Sequence, residues 1–178
     1  WRKRGISIVP MKYPVSYLGA LHALVSIYHG DGTVSIAHGG IEMGQGLNTK
    51  AVQVAAHVLG ISMEMISIKP TNNLISPNAV CTQASYTSEA VGYAIKKACE
   101  ILLQRMQPIK SKHPTASWTT IISESHNNQI DLSASYMYKE SELRPYDVWG
   151  VCCAEVEVDI LTGNVQLRRV DILEDTGE

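Results

Sequence analysis

The 178-residue chain lacks most of the features that fix a function class at sight. No apolar run approaches the ~20 residues a membrane-spanning helix needs, and no secretory signal is visible at its N-terminus. A formal net charge of −2 gives no reason to expect nucleic acid or a membrane surface as partner. The four cysteines, Cys81, Cys99, Cys152 and Cys153, make no C-x-x-C pair, so zinc and iron–sulfur spacings are missing. With no N-x-S/T sequon either, reduced thiols and a cytoplasmic location are expected rather than a disulfide framework. The six histidines, His22, His29, His38, His57, His113 and His126, show no H-E-x-x-H spacing. The G-K-[ST] ending of a P-loop and the G-x-G-x-x-G of a dinucleotide fold are missing too, as are internal repeats and low-complexity tracts. What is present is an ordinary apolar fraction of 45%, enough in a chain of this length to bury a core. The chain starts at Trp1 and stops just past a strand-like run, which reads as a piece of a longer polypeptide.

The richest stretch is Gly39-Gly40-Ile41-Glu42-Met43-Gly44-Gln45-Gly46-Leu47-Asn48-Thr49-Lys50. Its glycines let backbone approach a ligand and take positive φ without strain. The loop enters a helical pattern, and a helix N-terminus offers free amides to an anion. Gln45, between two glycines, has an uncrowded amide able to donate and accept. A second polar turn, Ala84-Ser85-Tyr86-Thr87, opens another helix and adds hydroxyls. Two such helix starts converging on one ligand would form an anion cradle. The residues alone reach a cofactor or phosphate loop and go no further.

Around these turns the patterning predicts an α+β fold of mixed sheets and hairpins with two main helices. Residues 5–9 predict a strand, with Pro10 and Pro14 bounding a short connection. Residues 21–28 and 33–37 predict a hairpin turned by Gly30-Asp31-Gly32. Val52, Ala55, Ala56 and Leu59 share one face of a helix over 48–59, capped by Asn48 or Gly46 and ended by Gly60. A short strand over 64–69 and an irregular stretch over 71–83 follow. Val91, Ile95, Ala98, Leu102 and Met106 form the stripe of a long helix, with Pro108 and Pro114 closing the region. A shorter helix near 116–124, a strand over 130–138 and a hairpin over 149–161 and 164–174 complete the chain. Trp118 and Trp149 read as packing residues, and His38 as a strand-end residue. Lys50 sits where a phosphate contact and a solvated side chain are both open. Glu155, Glu157 and Asp159 alternate on one strand face, which reads as solvated.

The run Gly39 to Lys50 resembles the molybdenum-cofactor loop of the xanthine dehydrogenase and aldehyde oxidase family, matching every fixed position of its G-G-x-E-M-G-Q-G-x-x-T-K pattern. Ala154 to Gly163 is similar to that family's S-E-V-E-I-D-x-L-T-G segment, and Asp171 to Gly177 to its D-I-x-x-D-x-G continuation. The tail Leu167 to Glu178 most resembles insect-type aldehyde oxidases.

The resemblance implies residues 1–178 are a fragment of the molybdopterin-binding domain, with a possible subdivision near 108–115. Such enzymes hold molybdenum through a pyranopterin and hydroxylate an electron-poor carbon with oxygen from water. Electrons leave through 2Fe-2S clusters and FAD, which would lie outside this chain, in a homodimer. Aldehydes are then the small-molecule substrates, with O2 as acceptor and H2O2 formed. Xanthine dehydrogenase, acting on purines, is the nearest alternative, and a non-catalytic module binding pterin or phosphate is another. By the family's motifs, Met43, Gly44, Gln45, Ala84, Ser85, Tyr86 and Thr87 bind the cofactor, with Ala84 beside the metal. Gln83 stands where family members commonly have a second small residue. Glu42 reads as a hydrogen-bond acceptor that fixes the loop. The family's catalytic base follows a glycine near the enzyme's C-terminus. Gly177-Glu178 is set aside for that role because its surroundings match a segment upstream of the base, so no catalytic residue is expected in the chain. The fragment alone is therefore expected to be inactive.

Overall fold

The alternating runs at the two ends of the sequence pair with each other, and the middle of the chain forms its own sheet and helices. The computed structural model describes residues 1–176. In chain order the strands are β1 (Arg2–Val15), β2 (Leu21–Ile27), β3 (Val34–His38), β4 (Ile66–Ile68), β5 (Ser133–Tyr138), β6 (Tyr146–Asp159) and β7 (Val165–Asp175). The helices are α1 (Leu47–Leu59), α2 (Thr87–Lys112) and α3 (Trp118–Asn127). Two compact units result, one of residues 1–16 with the segment from 145 onward, the other of residues 17–144. Residues 108–115 lie inside the second unit. The mixture of hairpins and helices is the α+β class expected.

The first unit is an antiparallel sheet in the order β1-β6-β7. Gly163, at φ 74°, makes the turn between β6 and β7 as its sequence position predicts. Pro10 and Pro14 do not bound a connection; they lie inside β1, opposite Val151 and Asp147. An edge strand tolerates them because one of its sides has no ladder to feed, and residues four apart direct their missing N–H the same way. The acidic face of β6 is not simply solvated. Arg4 reaches Glu157 at 2.9 Å and Glu155 at 3.3 Å, Arg2 reaches Glu157 at 3.6 Å, and Glu157 is only 7% exposed. The Arg4 hydrogen bond holds the Glu157 carboxyl below its usual range. Trp149 is half exposed rather than packed, with Lys12 Nζ 5.1 Å from its ring centre.

The second unit is built on a four-stranded sheet in the order β4-β3-β2-β5. β2 alternates strictly, with Leu21, Ala23, Val25 and Ile27 buried. β3 is buried on both faces and runs parallel to β4 across the α1 crossover. On this sheet lies α2, in contact with β2, β5 and α1. Its predicted stripe of Val91, Ile95, Ala98, Leu102 and Met106 is buried. The helix does not stop at Pro108 but continues to Lys112. Pro108 and Gln104, whose carbonyl loses its donor, are both exposed, so that carbonyl is not shut away from solvent, while buried Ile109 anchors the last turn. Burial pushes the Cys99 thiol of α2 up to about 12, which leaves it unreactive.

Candidate functional site

The glycine run begins where β3 ends and is pressed at once against α2. A Cβ at Gly40 would lie 2.6 Å from Leu47 Cδ2, 3.0 Å from Thr87 Cγ2 and 3.1 Å from Val91 Cγ2. Only a residue without a side chain lets the loop cross the first turn of α2 this closely. One residue on, the Ile41 amide donates to Thr82 Oγ1 at 2.8 Å, tying the loop directly to the second polar turn. The two helix starts singled out by sequence therefore stand side by side. His38, just ahead, is buried and meets Asn48 Oδ1 through Nε2 at 3.0 Å. Burial pushes its imidazole towards the neutral form. It fastens β3 to α1, as a strand-end residue would.

The glycine loop satisfies most of its own donors. The amides of Gly44 and Gly46 donate to Glu42 Oε1 at 2.9 and 3.1 Å, and that of Asn48 to Oε2 at 2.8 Å. These donors, Asn48 foremost, hold the Glu42 carboxyl below its usual range. Gly46, at φ 81°, is the N-cap of α1, in a conformation few other residues take. The expectation of free amides at this helix start is corrected in part: Glu42 takes that of Asn48, while those of Leu47 and Thr49 meet no acceptor among the described residues. Gln45 is likewise turned onto its own loop. Its Oε1 accepts from the Met43 amide at 2.6 Å and its Nε2 donates to the Ile41 carbonyl at 2.8 Å. One donor and one acceptor position of that amide remain.

The second turn is the opposite case. Ala84 and Ser85 hold φ of 50° and 61°, two consecutive non-glycine residues in the left-handed region. Each costs about 1–2 kcal/mol. Tyr86 then returns to φ −93°, and such alternation is the backbone form in which successive amides line one concavity. No side chain caps α2. Its first backbone bonds run from Glu89 and Ala90 to the Tyr86 carbonyl, so the amides of Thr87 and Ser88 precede them. Thr87 is 5% exposed, and its Oγ1 has no hydrogen-bond partner among the described residues. An unmet buried hydroxyl costs about 1–3 kcal/mol.

Both turns open on one cavity of about 320 Å³, lined by Met43, Gln45 and Lys50 on one side and Gln83, Ala84, Ser85, Thr87 and Ser88 on the other. Five of the seven residues expected to bind a ligand thus line this one cavity. Gly44 does not line it but feeds its amide to Glu42. Tyr86 does not line it either: its side chain is fully buried and its hydroxyl donates to the Cys81 carbonyl at 3.3 Å. Thr82, which ties the turns, and Ser88, one step beyond Thr87, were not singled out by sequence. The only signal for either was a place in the same polar stretch. Gly177-Glu178 lies outside the described residues, and among the described residues no cluster of His, Cys, Asp or Glu could hold a metal ion. What the cavity offers is mainly donors: amides, hydroxyls, two carboxamides and one ammonium, matched to a polar anionic ligand.

The close approach at Gly40 generates a prediction. Gly40→Ala should cost about 1–3 kcal/mol of unfolding free energy by forcing apart Leu47, Thr87 and Val91. Gly30→Ala, where a Cβ meets nothing within 4 Å, should stay within about 1 kcal/mol of the parent. Equal effects in denaturant titrations of the full-length protein would contradict the packing account.

Comparison with known proteins places this geometry in a family. The chain is 40% identical over 190 residues to aldehyde oxidase 3 of Rattus norvegicus, covering 98% of the chain and 14% of that protein. It is 40% identical over 192 residues to xanthine dehydrogenase/oxidase of Felis catus, covering 99% of the chain and again 14% of the relative. Its fold superposes on CO dehydrogenase from Oligotropha carboxidovorans with a TM-score of 0.82 at 20% identity, over 99% of the chain and 26% of that structure. The model of the molybdopterin cofactor-binding domain family matches residues 1–178. Matched along its whole length by that family's model, the chain belongs to the molybdopterin cofactor-binding domain family.

Proposed function

We propose that the cavity between the two turns holds molybdopterin, and that the chain is this part of an aldehyde oxidase that converts aldehydes to carboxylic acids. The observation that carries the reading is the donor set at the start of α2: a buried Thr87 hydroxyl with no partner among the described residues, next to the strained Ala84–Ser85 turn and on the wall of the cavity. The residues fit the group. The phosphate of a pterin cofactor needs donors, and the hydroxyls of Ser85, Thr87 and Ser88, the amides there and Lys50 supply them. Gln45 offers its remaining donor and acceptor to the pterin edge from the other wall, beside Met43. Ala84, with its single methyl group, leaves room next to the metal; Gln83 narrows the same wall. Tyr86 acts through its backbone alone, since its ring is buried.

When bound, the cofactor supplies the redox centre at which an electron-poor carbon is hydroxylated. The chain's own residues bind it, orient it and neutralise its charge. The catalytic base, the FAD and the 2Fe-2S clusters belong to other parts of the full-length enzyme, a cytoplasmic homodimer passing electrons to O2. Xanthine dehydrogenase remains the second reading, because the Felis catus relative is as similar as the rat aldehyde oxidase.

Thr87→Val should move two quantities in opposite directions. Removing the unmet hydroxyl should raise the unfolding midpoint of the cofactor-free full-length protein by relieving about 1–3 kcal/mol. The same change should lower the molybdenum and pterin content of the purified enzyme several-fold. A variant that loads cofactor like its parent would contradict the assignment. For the substrate class, kcat/KM of the full-length enzyme should be higher for an aromatic aldehyde than for xanthine; the reverse order would favour the second reading.

A further inference from the structure

Glu42 faces away from the proposed cofactor cavity. It lines a separate recess with Gly40, Ile41, Asn48, Ile68, Lys69, Pro70 and Thr71, whereas Gln45, three residues on, lines the cavity itself. Between them runs the turn whose amides Glu42 collects from Gly44, Gly46 and Asn48. Those groups sit at a helix start, where an anion is most favoured. Here the chain supplies that anion.

We propose that Glu42 is the resident anion of the α1 start, a positioning residue that sets the Gln45 turn before any cofactor arrives and leaves the cofactor's phosphate to the start of α2. The proposal rests on the cofactor assignment above for its second half only. Both carboxylate oxygens are used, two amides on Oε1 and one on Oε2, so the carboxylate already occupies the place an anion would take within this turn. A second anion placed there would meet the Glu42 charge at close range, and like charges disfavour each other. At α2 the converse holds: no side chain caps the helix, and the Thr87 hydroxyl is buried without a partner. The lowered proton affinity of Glu42 keeps the cradle charged through the physiological range.

The isosteric change is informative. Glu42→Gln retains one oxygen for Gly44 and Gly46 but turns an amide nitrogen towards the Asn48 N–H, donor against donor. It also replaces charge-assisted bonds by neutral ones of about half the strength.

Amide hydrogen exchange at residues 44, 46 and 48 of the full-length protein, prepared with and without molybdopterin, tests this directly. Protection in the cofactor-free parent should match that in the holoenzyme within about twofold. Glu42→Gln should exchange roughly tenfold faster there, Asn48 most of all, and should purify with less molybdenum. In Glu42→Ala, sodium formate should restore protection while sodium chloride at equal ionic strength should not, a response a packing role would not give. Protection that appears in the parent only with cofactor bound, or unchanged exchange in Glu42→Gln, would overturn the proposal. If the variants fail to fold, the comparison of cofactor-free and loaded parent decides alone. A parent that never retains molybdenum would sink the cofactor assignment, while the exchange pattern of that same protein still decides the role of Glu42.

Discussion

The site depends on a contact too close for any side chain. Gly40 lies where a Cβ would come within 2.6 Å of Leu47 and 3.0 Å of Thr87. That approach lays the glycine turn across the first turn of α2. From it follow the bond from Ile41 to Thr82, the adjacency of two helix starts otherwise 40 residues apart in sequence, and a cavity with donors on both walls. The core beneath, with α2 on β2 and β5 and against α1, fixes the platform. Gly40 fixes what stands on it.

The two helix starts have been treated differently by the chain. At α1 Glu42 takes the amides of Gly44, Gly46 and Asn48, and Gln45 is folded back on its own loop, so most of this turn is held without a ligand. At α2 the backbone is strained at Ala84 and Ser85 and a buried hydroxyl is unmet. A fold keeps such unfavourable features only where neighbouring structure holds them in place, and they concentrate at functional sites. One wall is therefore largely pre-formed by its own hydrogen bonds, and the other carries the strained backbone and the buried unmet hydroxyl. This asymmetry is a physical reason to expect the anionic end of a ligand at Thr87 rather than at the glycine turn.

Much of this was legible in the residues. The stripe from Val91 to Met106 located α2, and Gly46 and Gly60 marked the ends of α1. Asp31 and Gly32 marked a hairpin, and the glycine turn and the Ala84 turn were both recognisable as site elements. What escaped reading depends on partners far along the chain. Pro10 and Pro14 look like breakers until β1 proves to be an edge strand. Pro108 looks like a terminus until Ile109 proves buried. Glu157 looks solvated until Arg2 and Arg4 arrive on the neighbouring strand. Tyr86 shares a turn with cavity-lining residues, yet its ring turns to the core. Local pattern specifies an element; which of its groups remain unsatisfied is settled only by the assembled fold.

The most direct test of the account is a crystal structure of the full-length enzyme with its molybdopterin. The account predicts the pterin's phosphate within hydrogen-bond distance of Thr87 Oγ1 and the first amides of α2, with Glu42 still bonded to Gly44, Gly46 and Asn48 across the loop. A phosphate seated at the start of α1 with Glu42 displaced, or a pterin lying outside the cavity between the two turns, would contradict it.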